Sequence, residues 1–358
     1  MGHRRAMASD LPSPVEQALA AFALPGECLG VRPFERGHIH DTFLSTWLGG
    51  SGEERYLHQR INETVFRDVE ALMGNIERVT SHLAARAEPG ERTLTLVPTR
   101  DGASYARIEG RAWRTWRFLE GTRALEGRPS PEEAFDAARA VGRFQVRLGD
   151  LPAQELAETI PHFFDTPHRF VEFDRARELD RAGRLRDCAG EFAFVEARRH
   201  LASAFAARLE DGTIPWRVIH GDAKLDNILF DARSGRAVCL VDLDTCMPGF
   251  CLYDYGDLVR SAAGTADEDE RDLARVAIDP AIRTALTRGY LEGAADLLGE
   301  GERELLPIAE RLVTLTIGLR FLTDHLNGDT YFKTAREGHN LDRARVQFRM
   351  VELLEEAD

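Results

Sequence analysis

Apolar residues follow two different rhythms along this chain. In the first part they come in short runs rich in β-branched and aromatic residues, CLGVRPF (28–34), DTFLSTWL (41–48) and RYLHQRI (55–61), with glycine-bearing turns between them. Such runs read as three strands. From Val65 to Ala85, Val65, Val69, Leu72, Ile76, Val79 and Leu83 recur at steps of three and four, which predicts a helix. Strand character returns at RTLTLVPT (92–99) and RAWRTWRFL (111–119). After Gly121 the texture turns helical. Pro131 to Leu148 forms one helix with proline in its first turn, Arg175 to Leu209 holds one or two more, and helices run to the end beyond residue 243. A β island interrupts them: a strand from Trp216 to Ile219, a polar loop, a short strand Ile228 to Phe230, a turn at Ser234-Gly235 and a strand Val238 to Leu243. Residues 1 to about 26 form a helical or loose lead-in broken by Pro12, Pro14 and Pro25. The expected class is α+β: an N-terminal lobe over 1–120, an antiparallel sheet plus one helix, and a mainly helical lobe over 121–358.

The length of 358 residues suits two lobes. Charge narrows the partners. With 46 Lys and Arg against 60 Asp and Glu, the net charge of -14 repels nucleic acid and anionic membranes. No apolar run reaches membrane-spanning length, and MGHRRAMASD at the start is not followed by an apolar stretch, so no secretory signal is expected. The five cysteines are odd in number and include no CxxC pair, which favours reduced thiols and a cytoplasmic location. The acidic run Asp267 to Asp272 reads as a solvated loop.

Candidate chemistry concentrates in WRVIHGDAKLDNILFDARSGRAVCLVDLDTCMPG, 216–249. Phosphoryl transfer needs a carboxylate to align and deprotonate a hydroxyl, and a divalent cation to neutralise the triphosphate. Asp222 and Asn227 fit the base and metal ligand of an H-x-D-x-x-x-x-N loop, and Asp242, at the end of an apolar strand, fits the second magnesium ligand. Asp222 and Asn227 alone would favour simple turn chemistry; the loop, hairpin and strand-end aspartate together favour catalysis. His220 is read as a structural bond within the loop and Asp226 as solvated. Lys224, two residues after the base, is a cation that meets the γ-phosphate in one reading. Asp244 shares the face of Asp242 as long as the chain stays extended.

HGDAKLDN, LVDLDTCMPG and LYDYGDLVR resemble the aminoglycoside and choline phosphotransferase superfamily. Within it, RGHIHDTF (36–43), YLHQRIN (56–62), VEALMGNI (69–76), WRTWRFLEGT (113–122), TIPHFFDT (159–166) and LRFLTDHLNGDTYF (319–332) resemble the N-acetylhexosamine 1-kinases. The resemblance implies a protein-kinase-like two-lobe fold with ATP in the cleft and magnesium at the phosphates. It implies Asp222 as base, Asn227 and Asp242 as metal ligands, and Asp254 as the brace of the catalytic loop. Gly37 takes the place of the glycine-rich phosphate loop, although RGHIHD has a single glycine. The strand lysine is absent from YLHQRIN; Arg60 is its expected substitute, with Glu70, or its rival Glu77, as the helix partner. Adenine is expected against the backbone of Phe118, Leu119 and Glu120. Substrate contacts are expected from His38, His40 and Asp41, and from Arg320, Asp324 and Tyr331, though the spacing of Arg320 and Asp324 also allows a helix ion pair. The implied reaction is ATP-dependent phosphorylation of the anomeric hydroxyl of N-acetylglucosamine or N-acetylgalactosamine. Another small alcohol (an aminoglycoside, choline or homoserine) and a nucleotide-binding pseudokinase are the rival readings.

Overall fold

The computed structural model describes residues 13–34, 39–50, 52–205, 208, 212 and 214–357. The chain divides into two compact units. One runs through Arg123 and takes in Asp231–Arg233; the other comprises Ala124–Phe230 and Ser234–Asp358. The expected α+β class holds, with a small antiparallel sheet in the first unit and a helical second unit.

The first unit opens with α1 (Ser13–Ala21), followed by strands β1 (Glu27–Pro33), β2 (Asp41–Gly49) and β3 (Gly52–Arg60) and by α2 (Val69–Ala85). It continues with β4 (Leu96–Val97), β5 (Ala106–Ile108) and β6 (Arg111–Arg117), and β7 (Thr122–Ala124) follows where the units join. The sheet order is β1-β2-β3-β6-β4, with β5 also paired to β6. Val15, Ala18 and Leu19 of α1 pack on Val31, Trp47, Tyr56 and Trp113, so α1 covers one sheet face. The same face holds a buried polar chain: Trp47 Nε1 donates to Ser45 Oγ, which lies 2.7 Å from His58 Nε2, while His58 Nδ1 lies 2.9 Å from Thr115 Oγ1. Burial lowers the His58 pKa to about 3, so the ring is neutral.

Three local expectations change. Helix α2 begins at Val69, not Val65, because Asp68 caps it by accepting the Ala71 amide. The strand expected over 92–99 shrinks to Leu96–Val97. The short β5 was not anticipated; it joins β6 through Glu109 and Gly110, both at positive φ, as a tight two-residue hairpin requires.

The second unit contains α3 (Pro131–Leu148), α4 (Thr166–Leu179), α5 (Ala189–Ala197), β8 (Arg217–Ile219), β9 (Ile228–Asp231), β10 (Ala237–Leu240), β11 (Met247–Gly249), α6 (Cys251–Ala262), α7 (Pro280–Gly293), α8 (Glu300–Glu304), α9 (Leu306–Leu326) and α10 (His339–Glu356). Ser130 and Glu133 close a capping box at the start of α3. The stretch from Arg175 to Leu209, expected to hold one or two helices, is divided at Asp180, which adopts a left-handed conformation with φ 37°, so that α4 ends at Leu179 and α5 covers Ala189–Ala197. Helices α3 and α7 pack so closely that a Cβ on Gly289 would lie 2.1 Å from the Phe135 carbonyl oxygen. Helix α9 is the hub, touching α4, α6 and α10. No helix among the described residues is long and apolar enough to cross a membrane.

Candidate active site

The catalytic segment hangs on two short antiparallel pairings. β8 pairs with β11, Met247 opposite Ile219, and β9 pairs with β10, Leu240 opposite Ile228. Between β8 and β9 the chain turns at Gly221, whose φ of 77° suits glycine; a Cβ there would meet the Thr245 carbonyl oxygen at 2.4 Å.

Beneath this turn lies Asp254, on α6 and fully buried. Its Oδ2 accepts the His220 amide at 2.9 Å and the Gln145 side-chain amide at 2.9 Å, and its Oδ1 accepts the Gly221 amide at 2.8 Å. Burial raises its pKa, and the nearby His220 and these three donors oppose the rise. His220 is equally enclosed: Nε2 lies 3.0 Å from the Val241 carbonyl, and Nδ1 accepts the Asp222 amide at 3.3 Å. Both residues brace the loop.

Asp222 projects from that braced turn. Its Oδ2 accepts from Lys224 Nζ at 2.8 Å and from Asn227 Nδ2 at 2.8 Å. Burial alone would raise the Asp222 pKa, but the adjacent Lys224 ammonium, by charge and hydrogen bond, holds the carboxyl below the usual range. Asp222 is therefore a carboxylate near neutral pH. Asn227 Nδ2 also donates to the Asp222 carbonyl at 2.8 Å, which commits its amide nitrogen within the loop.

Asp242 departs from the expected geometry. Strand β10 stops at Leu240, and Asp242 is left-handed, with φ 66°, at the head of a 3₁₀ turn over Leu243–Thr245. The chain is not extended here, so Asp244 does not share a face with Asp242; it is buried while Asp242 is half-buried.

The C-terminal candidates separate into two roles. The Arg320 guanidinium lies over three rings, Phe163 at 4.7 Å, Phe332 at 5.5 Å and Tyr331 at 5.6 Å. Burial lowers its pKa, and the Asp222 charge also acts on it. Asp324, expected as a sugar contact, acts here as a brace. Its carboxylate accepts the amides of Thr330, Tyr331 and Phe332 at 2.8–3.0 Å and the Asn340 side chain at 2.9 Å. Asn340 also donates to Asp329, which Arg184 holds at 2.6 Å. These bonds fix the turn that presents Tyr331, and they exclude the Arg320–Asp324 ion pair. Phe163, Phe332, Asn340 and Gln145 were not singled out from the sequence; the aromatic pairs in HFFDT and DTYF were the available signal for the first two.

In the first unit, Gly37 and His38 lie outside the described residues. His40 Nδ1 accepts the Asn62 amide at 3.0 Å, and its ring packs on Phe66. Asp41 is bound by Arg60, with Nε to Oδ2 at 2.8 Å. Strand parity puts Arg60 on the face of Tyr56, His58 and Trp113, and puts Gln59, Arg114 and Trp116 on the opposite face. There Gln59 accepts from Arg114 Nε and Trp116 Nε1, both at 2.9 Å. Arg60 thus pairs with Asp41 and not with Glu70, which is exposed in the first turn of α2, as is Glu77 further along. The Phe118 amide donates to Arg55, the Leu119 carbonyl accepts from Thr122 at 2.8 Å, and the Glu120 carboxylate binds Arg55.

A carboxylate and an amide on a braced loop, with a second aspartate just beyond a neighbouring strand, are the kinds of group a kinase-type phosphotransferase uses. The sequence profile of the phosphotransferase enzyme family (APH) matches residues 30–297. The chain belongs to this family, and it is an enzyme that transfers phosphate to the alcohol group of a small molecule. Its fold is similar to that of a microcompartment-associated aminopropanol kinase, with 16% identity over 96% of each chain and a TM-score of 0.61. It is also similar to spectinomycin phosphotransferase in complex with ADP and spectinomycin, with 9% identity over 95% of this chain and 96% of that one and a TM-score of 0.58. A choline/ethanolamine kinase family protein from Mesorhizobium loti shares 18% identity over 94% of this chain and 90% of that one, with a TM-score of 0.53.

Proposed function

We propose that this phosphotransferase uses ATP and magnesium to phosphorylate a sugar, at the anomeric hydroxyl of N-acetylglucosamine or N-acetylgalactosamine. The observation that carries the choice of acceptor is Arg320. Three aromatic rings that would suit an ammonium group already hold a guanidinium, and its positive charge repels cationic acceptors. A neutral sugar meets no such penalty; its hydroxyls accept from the guanidinium, and its ring lies against the exposed Tyr331.

In this reading Asp222 takes the proton of the acceptor hydroxyl. The acceptor oxygen bonds to the terminal phosphorus, and the bond to the bridging oxygen breaks, its electron pair leaving with ADP. Lys224 keeps Asp222 ionised and, once the hydroxyl engages the carboxylate, is the cation assigned to the γ-phosphate. The donor set fits a hard cation: the Asn227 amide oxygen and the Asp242 carboxylate would hold magnesium, which when bound neutralises triphosphate charge. Asp254 and His220 keep the loop in register. For the nucleotide's phosphate side, Arg114, partnered by Gln59, is a better assignment than Arg60, which Asp41 engages on the α1 face. The proposed adenine contacts remain the backbone of Phe118 to Glu120.

The amino-alcohol kinases among the structural relatives support a second reading, an aminated alcohol as acceptor. ADP release measured over a panel of sugars and amino alcohols separates the two. The expected product is a hexosamine 1-phosphate that fails a reducing-sugar assay and shows phosphorus coupling to its anomeric proton. Phosphate on the 6-hydroxyl, or turnover of amino alcohols alone, overturns the sugar 1-kinase reading.

A further inference from the structure

A second cluster of ligating side chains lies in the helical unit, in the segment His162-Phe163-Phe164-Asp165-Thr166-Pro167-His168. Asp165 caps α4 by accepting the His168 amide at 3.0 Å, so His168 sits in the first turn directly above the cap. His162 precedes the helix, and its Nδ1 lies 2.8 Å from Asp165 Oδ2. The two imidazoles stack with centroids 3.9 Å apart and planes 13° apart. One ligand atom from each of the three residues lies within 4.8 Å of the other two. Glu172, one turn along α4, has one carboxylate oxygen 3.6 Å from His168 Nε2, while its other oxygen accepts from Arg169 at 2.6 Å.

We propose that His162, Asp165 and His168 form a site for a divalent transition metal of the zinc class, separate from the magnesium ligands of the catalytic loop. Two imidazoles and a carboxylate are a nitrogen-rich set, which suits zinc, nickel or cobalt; magnesium prefers oxygen donors. Metal–ligand bonds of about 2.0–2.2 Å require the ligand atoms to draw together to roughly 3.3 Å in a tetrahedral arrangement. The rings are part-exposed and can make that rotation, and water can complete the shell. Binding displaces the proton shared by His162 Nδ1 and Asp165 Oδ2, and that proton leaves to solvent. The same loop carries Phe163, one of the rings beneath Arg320, so an occupied site would fix the support of that guanidinium.

The test uses the full chain, stripped with chelator and dialysed against zinc chloride in the presence of excess magnesium. Wild type should retain one zinc per chain more than the His162→Ala/His168→Ala variant. Cobalt(II) should give wild type a visible d–d absorption that the variant lacks. Equal zinc contents and identical cobalt spectra overturn the proposal. A measurement on wild type alone guards against a misfolded variant: zinc should protect His162 and His168 from diethyl pyrocarbonate, read by peptide mass mapping. Unchanged modification of both residues under saturating zinc also overturns it.

Discussion

The catalytic loop and the N-terminal sheet reach order by opposite means. Residues 220–227 are a short polar loop whose backbone is held by one buried carboxylate and one left-handed glycine, and whose side chains are held by neighbours only a few residues away. The candidate cations of the sheet are placed by strand register instead, where a step of one residue moves a side chain to the other face. Functional groups in the loop therefore tolerate little change. Those in the sheet depend on parity, which sets Arg60 and Arg114 on opposite faces.

The largest effect should come from the loop's own carboxylate. Asp222→Asn keeps the bond pattern of the turn but removes the proton acceptor. Turnover should fall by about 10²–10⁴-fold with ATP binding retained. Near-normal turnover in the purified variant would remove Asp222 from the role of base.

Next is the brace. Asp254→Ala leaves the His220 and Gly221 amides and the Gln145 amide buried without their acceptor. Each such group costs about 1–3 kcal/mol, so urea unfolding should show a loss of at least about 3 kcal/mol. A loss below about 1 kcal/mol would mean that the loop holds itself.

Lys224→Met tests the electrostatics of the same site. With Lys224 present, the Asp222 pKa lies below the ordinary carboxylate value, so the acid limb of activity should fall below pH 3.8, wherever the folded enzyme survives. Removing the ammonium leaves burial unopposed, and the acid limb should move to higher pH. The sign for stability is the same. The Asp222 contribution is present above its unfolded pKa, is lost as pH falls through its lower folded pKa, and should shrink in the variant. An acid limb that does not move would assign the depression of the Asp222 pKa to Asn227 instead.

The smallest effect belongs to the sheet. Arg60→Ala breaks an exposed ion pair with Asp41 and should cost less than about 1 kcal/mol. Its KM for ATP should change less than that of Arg114→Gln. The reverse ranking would return Arg60 to the phosphate.

The contrast also explains how much of the molecule was legible in the sequence. That Asp222, Asn227, His220 and Asp254 come together could be read because loop and brace come as contiguous words, HGDAKLDN and LYDYGD, whose spacing is itself the geometry. The pairing of Arg60 with Asp41 was not read, although YLHQR already puts Arg60 in phase with Tyr56 and His58, the α1 side of the sheet. The bracing partners of Asp324, the amides of Thr330–Phe332 and the Asn340 side chain, were not legible because they are assembled only when α9, the following turn and α10 fold together. The break at Asp180 was hidden for a similar reason, since a left-handed aspartate leaves little trace in a helical pattern. Asp242 was placed one conformation too far along its strand, because an apolar run does not announce where pairing stops.

The fully buried Asp254 has a consequence for the exchange of protons with solvent. The amides of His220 and Gly221 donate to a carboxylate that water does not reach. Those two protons can leave only when α6 separates from the loop, a sub-global opening of the helical unit. Loops are ordinarily where deuterium enters first. Here the loop that bears the base keeps its hydrogen about as long as the helix beneath it, and the labelling clock of the active site is the clock of its foundation.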